Sequence, residues 1–195
     1  MFGFILNMIR DVHHKYLYDK EVFVIKKTLC VMFVLGIFCM LVSANLFASD
    51  DVSKHKACPH CGMDRGQFAH SRMLVVFDDG TEVGVCSLHC AAIDLAINID
   101  KTPKTIYVGD FNTKKLIDAE QAFWVIGGNK PGVMTKRAKW AFEKKADAEA
   151  FIQKEGGTIA NFDQAISASY EDIYADTKMI RERRKMKRMQ MEKKN

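Results

Sequence analysis

The body of this chain has no excess of positive charge, although the chain as a whole does. Its net charge is +5, but Lys178 to Asn195 alone holds nine Lys/Arg against two Glu, a net +7. Met1 to Lys27 carries five Lys/Arg and three acids, a net +2, and Thr28 to Ala48 carries no charge. Ser49 to Thr177 is left at −4, which argues against a nucleic-acid-binding domain. Length is also in short supply. With a hydrophobic N-terminal segment set aside, 195 residues suit one ordinary domain or two very small lobes and exclude a large multidomain enzyme. No internal sequence repeat is present.

The stretch without charge has a meaning of its own. Thr28 to Ala44 (TLCVMFVLGIFCMLVSA) is an apolar run preceded by Lys26-Lys27 and followed by small residues, the three-part layout of an export signal. The expected destination is outside the cytosol: the periplasm, with anchoring to the inner membrane if the segment is retained. Val42-x-Ala44 and Leu46-x-Ala48 are both usable cleavage sites, and the run is only marginally long enough to span a bilayer. A lipid-modified Cys39 is disfavoured because the bulky Phe38 stands where such signals need a small residue. The division expected is 1–48 for extension and signal or anchor, 49–177 for the folded domain, and 178–195 for a basic helical or disordered tail.

Turn signals and apolar periodicity supply the order of elements. After a polar linker (SDDVSKHKA), Ser71 to Phe77 and Thr81 to Val85 flank Asp78-Asp79-Gly80 as a hairpin. Ser87 can cap a helix running to about Ile97, whose apolar face is Leu88, Ala91, Ala92, Leu95 and Ala96. Short strands are expected at Thr105 to Val108, Lys115 to Ile117, Ala122 to Ile126, Ala138 to Phe142 and Thr158 to Ala160. A helix over Ala146 to Glu155 stops at Gly156-Gly157. Asn161 and Gln164 form a capping-box pattern that opens a long last helix. The predicted class is α+β with a largely antiparallel sheet, built from hairpin-then-helix units.

Cysteine is scarce outside the apolar segment. Cys30 and Cys39 behave there as small hydrophobes, leaving Cys58, Cys61, Cys86 and Cys90. In an oxidising compartment four cysteines are commonly two disulfides. The alternative is a metal site: Cys58-Pro-His-Cys-Gly is a tight turn, and Cys86 and Cys90 are one helical turn apart, so four sulfurs can converge. Zinc accepts four thiolates as a closed structural site. Met63, two residues after Cys61, tilts the reading toward Cu(I), since thioether is a soft donor that zinc does not normally take; Met63 can equally be packing. His60 and His89 lie inside the two motifs and are candidate ligands or ordinary exposed residues, while His55 and His70 read as surface. A thiol-disulfide oxidoreductase is a further alternative, weakened because no helical pattern follows the CxxC.

CxxCGM, the Asp-Asp-Gly hairpin and the later stretch AFWVIGG…VMTKRAKWAFEKKADAEAFIQKEGG together resemble the NosL family of periplasmic nitrous oxide reductase accessory proteins, over about Cys58 to Ile173. The first half also resembles small YHS and TRASH metal-binding modules. The NosL resemblance implies a non-enzymatic copper chaperone that binds Cu(I) and delivers it to a copper-dependent client enzyme such as nitrous oxide reductase. Cys61 and Met63 match the family motif, and Met134 stands near a family methionine ahead of an aromatic strand. Cys86-Ser-Leu-His-Cys90 is richer in cysteine than the resemblance leads one to expect. The metal-ligand candidates are thus Cys58, Cys61, Met63, Cys86, Cys90, Met134 and His89. The basic tail reads as a solvated helix end, or as a contact for anionic lipid headgroups or an acidic partner.

Overall fold

The strand Met73–Phe77 is an unbroken apolar run, MLVVF, with only Val76 not fully buried. Such a strand needs neighbours on both edges, and it has them. A computed structural model describes residues 47–193, with side chains from Asp51 onward. Its elements are α1 (Phe47–Lys54), β1 (Met73–Phe77), β2 (Glu82–Val85), α2 (Leu88–Ile97), β3 (Pro103–Gly109) and β4 (Leu116–Asp118), then β5 (Phe123–Ile126), β6 (Lys139–Phe142), α3 (Lys145–Glu155), β7 (Thr158–Ala160) and α4 (Phe162–Glu192). The signal or anchor expected at 28–44 lies outside the described residues. Among the described residues no helix is long and apolar enough to cross a membrane.

Two antiparallel sheets form, with strand orders β2-β1-β3-β4 and β6-β5-β7. The class is α+β, as the element order predicts. Both sheets are wired alike: a hairpin, a helix, then a strand returning to the hairpin's first strand. Thus β3 pairs with β1, and β7 with β5. This is the hairpin-then-helix logic read from the sequence, and the two halves differ in their turns: the first hairpin turns at Asp79-Gly80, whereas β5 and β6 are joined by the long loop 127–138. In the first turn Asp79 Oδ1 accepts from the Thr81 amide at 2.8 Å.

The two sheets share one hydrophobic core, from Cys58 and Met73 through Trp124 and Trp140 to Ala165. They are stitched by polar bonds as well. The Phe111 amide donates to Ala141 O at 2.8 Å, and the Glu143 amide donates to the buried Asp110 Oδ1 at 2.9 Å. His70, expected at the surface, is half-buried at this seam, its ring 5.5 Å from Trp140 and 5.9 Å from Phe111. Burial, with Lys130 and Lys114 nearby, holds its pKa below the ordinary imidazole value. His55 also has a partner, Glu82 Oε1 at 3.0 Å.

The expected polar linker is a helix, α1, and its Asp51 is buried. Asp51 bridges two buried guanidiniums: its Oδ2 is 2.8 Å from Arg65 Nη2 and 2.9 Å from Arg72 Nε, and its Oδ1 accepts from Arg72 Nη2 at 3.0 Å. Composition reads Asp, Ser and Lys as solvent-loving; it does not show that two arginines wait in the fold for one carboxylate.

Helix α4 begins at the expected capping box, with Asn161 and Gln164 each satisfying the other's backbone amide. Arg137 of the β5–β6 loop and Lys139 of β6 then grip Asp172 at 2.9 and 2.5 Å. The helix continues without a break across Lys178 to Glu192, so most of the basic tail is helical.

Candidate metal centre

The CxxC turn closes on itself. The Gly62 amide donates to Cys58 O at 2.8 Å and the Cys58 amide to Met63 O at 2.9 Å. Gly62 has φ +78°, in the left-handed region that a residue with a Cβ reaches only at a cost. The second pair sits where β2 hands over to α2. Ser87 occupies the N-cap with extended backbone, but its side chain makes no capping bond, contrary to the expectation. Its hydroxyl instead lies 3.8 Å from Cys86 Sγ. Ser71 Oγ donates to Cys86 O at 2.9 Å, fixing the strand end.

Arg65, the residue after Met63-Asp64, ties the two motifs together. Its Nε donates to Val85 O, next to Cys86, at 3.2 Å, while its Nη atoms reach Asp51, His55 O and Met73 O. Gly84 makes room for this side chain, since a Cβ there would lie 2.6 Å from Arg65 Cζ.

The result is a cluster of four thiols whose sulfurs all lie within 4.8 Å of one another. Cys61 Sγ is 3.4 Å from Cys86 Sγ, and Cys86 Sγ is 3.7 Å from Cys90 Sγ. All four cysteines are free, so the alternative of two disulfides does not describe this structure. A tetrahedral ion with metal–sulfur bonds of about 2.3 Å needs sulfurs about 3.8 Å apart, close to what the thiols already present. Cys58, Cys86 and Cys90 are buried and Cys61 is half-buried.

Crowding divides the thiols electrostatically. Cys58 is held far below the ordinary thiol range by hydrogen bonds from Cys61, Cys86 and Cys90, against the cost of burial. Cys61 is also lowered: its bond with Cys58 opposes the shift, and those with Cys86 and Cys90 prevail. Cys86 is pushed up by its bonds to Cys58 and Cys61, and Cys90 by its bonds to Cys58, Cys61 and Cys86, with burial adding to both. Thiols this crowded cannot all ionise together until a cation offsets the accumulating charge.

Cys61 and Cys90 also open onto a cavity of about 170 Å³, which His60, His89, Met134 and Arg184 help to line. Met134 comes from the β5–β6 loop, so the second half of the chain reaches the thiol site. It has φ +63°, a strained conformation for a residue with a side chain. The loop is held there because the Lys136 amide donates to Asp176 Oδ1 of α4 at 3.1 Å. Met63 and Met134 both pack against the hydrophobic core, but Met63 does not line this cavity.

Both motif histidines face carboxylates. His60 Nε2 lies 2.8 Å from Asp94 Oδ1. His89 is buried, with Nδ1 3.5 Å from Asp176 Oδ2, and among the described residues neither atom has a hydrogen-bond partner. Burial keeps the His89 pKa below the ordinary imidazole value, opposed by Asp176. A carboxylate behind an imidazole is the arrangement that orients a metal-ligating histidine.

Sequence reasoning missed the arginines. Arg181 and Arg184 line the cavity, and Arg184 Nη2 donates to Cys61 O at 3.0 Å. The positive charge of the tail was legible; the place of Arg184 beside Cys61, 123 positions earlier in the chain, was not.

Comparison with known proteins adds the following. The NosL family model matches residues 49–170. Among solved structures, the chain is similar to the copper chaperone NosL from Shewanella denitrificans, at 26% identity and a TM-score of 0.45, over 55% of this chain and 87% of that one. It is also similar to apo-NosL from Achromobacter cycloclastes, at 23% identity and a TM-score of 0.34, over 46% of this chain and 81% of that one. No curated protein matches the chain.

Proposed function

The chain belongs to the NosL family, and from that premise we propose that it is a Cu(I)-binding accessory protein of the periplasm, not an enzyme. In this reading it takes copper on its cysteine cluster and passes it to a copper-dependent client enzyme, nitrous oxide reductase being the first candidate. The export-signal pattern read at 28–44 supports that compartment, with the protein free or anchored to the inner membrane. The observation that carries the reading is the unequal exposure of the four converging thiols: Cys58, Cys86 and Cys90 are buried and Cys61 is half-exposed, beside a cavity that Met134 also lines.

A soft monovalent ion favours thiolate and thioether donors and low coordination numbers. Not all of Cys58, Cys61, Cys86 and Cys90 need bind at once. A thiol left loosely held is the point where an incoming ligand displaces the protein's own. Arg181 and Arg184 offset the negative charge that bound thiolates leave at the rim.

A structural zinc module is the second reading, favoured by the presence of four thiols where copper needs fewer. The two differ in what metal removal does. The shared core runs well beyond the cluster, through both sheets and α4, so the metal-free reduced protein is expected to keep its near-ultraviolet circular dichroism and a cooperative melt. Loss of both on chelation would make the cysteines a zinc scaffold.

A further inference from the structure

The last helix leaves the body beside the metal cavity. Its packed face ends at the buried Met179, and every described residue from Arg181 to Lys193 is exposed. The stretch Arg181 to Glu192 is helical and extends about 18 Å at 1.5 Å per residue. Arg181, Arg184 and Arg188 recur at i, i+3 and i+7 and so share one side, with Lys187 three positions after Arg184. The first two line the metal cavity, and Arg184 is bonded to the Cys61 carbonyl. The stripe is thus rooted at the half-exposed thiol. Among the described residues, no basic side chain from Lys178 onward forms an ion pair with a carboxylate of this chain.

We propose that the stripe Arg181, Arg184, Lys187 and Arg188 is a docking rail for an acidic face of the protein that receives the metal. The proposal rests on the copper-chaperone reading and specifies its partner surface. A rail held this close to Cys61 does two things for transfer. It raises the local concentration of an acidic partner by long-range attraction, and it fixes that partner with its own ligands over Cys61. The exchange needs no electron: the acceptor's thiol gives up a proton as its sulfur binds Cu(I), and Cys61 regains one as its bond to the ion breaks. An anionic membrane would meet the same charges. Seated on the rail, however, it would cover the cavity mouth and offer no thiol or thioether to take the ion, so geometry favours a protein.

The test uses the full chain reconstituted in phosphatidylcholine vesicles and two labelled peptides. One is glutamate-rich with a single Cys and a single Met, and the other has Gln at every Glu. Without metal, the Glu peptide is expected to bind at least about tenfold more tightly than the Gln peptide at low ionic strength. High salt should erase the preference, as should the double variant Lys187→Glu, Arg188→Glu. In the Cu(I)-loaded chain the same variant should slow transfer to the Glu peptide about tenfold while leaving Cu(I) affinity unchanged. Equal binding of the two peptides, or a preference that survives the double variant, would overturn the rail. So would capture of the stripe by vesicles containing anionic phosphatidylglycerol, with displacement of the peptide and loss of transfer. A chain that fails to load Cu(I) would overturn the copper reading alone, and metal-free peptide binding would still decide the docking question.

Discussion

Replacing Asp51 with Ala is expected to destabilise the domain by about 3–5 kcal/mol, the usual cost of removing one partner from a buried charge cluster. The loss arises because both guanidiniums stay behind. Arg65 and Arg72 are 0% and 2% exposed, and Asp51 is the carboxylate that both of them contact. Burial, with the Arg72 charge beside it, lowers the Arg65 pKa, and Asp51 opposes that shift. Urea unfolding at neutral pH measures the effect directly. For contrast, Glu149→Gln, which breaks the exposed i, i+4 pair with Lys145, should change stability by under about 0.5 kcal/mol. If Asp51→Ala were equally mild, the buried cluster would not be what fastens α1 to the sheet.

Replacing Cys86 with Ser is expected to weaken Cu(I) binding by at least about a hundredfold. Cys86 lies 3.4 Å from Cys61 and 3.7 Å from Cys90, so its sulfur contacts both motifs. A hydroxyl in its place is a hard, neutral donor in a site suited to soft anionic ones. Fold loss is the obvious confounder, since Cys86 is fully buried. Circular dichroism of the variant guards against it, and Cys61→Ser supplies a half-buried counterpart with less to disturb. Both variants folded and both binding as tightly as wild type would remove the cluster from the site.

Local spacing made the centre of this molecule readable. CxxC in a glycine turn and CxxxC across one helical turn need only short-range geometry to bring each pair together, and the hairpin between them brings the pairs to each other. Capping chemistry at Asn161 and Gln164 is equally local, and the structure contains it. What was not readable depends on partners distant in sequence. Asp51 looks like linker until Arg65 and Arg72 are placed around it. Arg184 looks like tail until it meets the Cys61 carbonyl. His70 looks like surface until Phe111 and Trp140 enclose it. Met63 and Met134 both pack against the core that contains the buried cysteines, and Met134, from the other half of the chain, also lines the cavity.

The most direct test of the copper reading is a competition between metals. The chain is prepared reductively and anaerobically, loaded, and exposed to a Cu(I) chelator and, separately, to excess zinc, with bound metal counted afterwards. Retention of Cu(I) against both, by a protein equally folded before loading, is the predicted result. Displacement of copper by zinc, in a protein that unfolds when the zinc is removed, would contradict it.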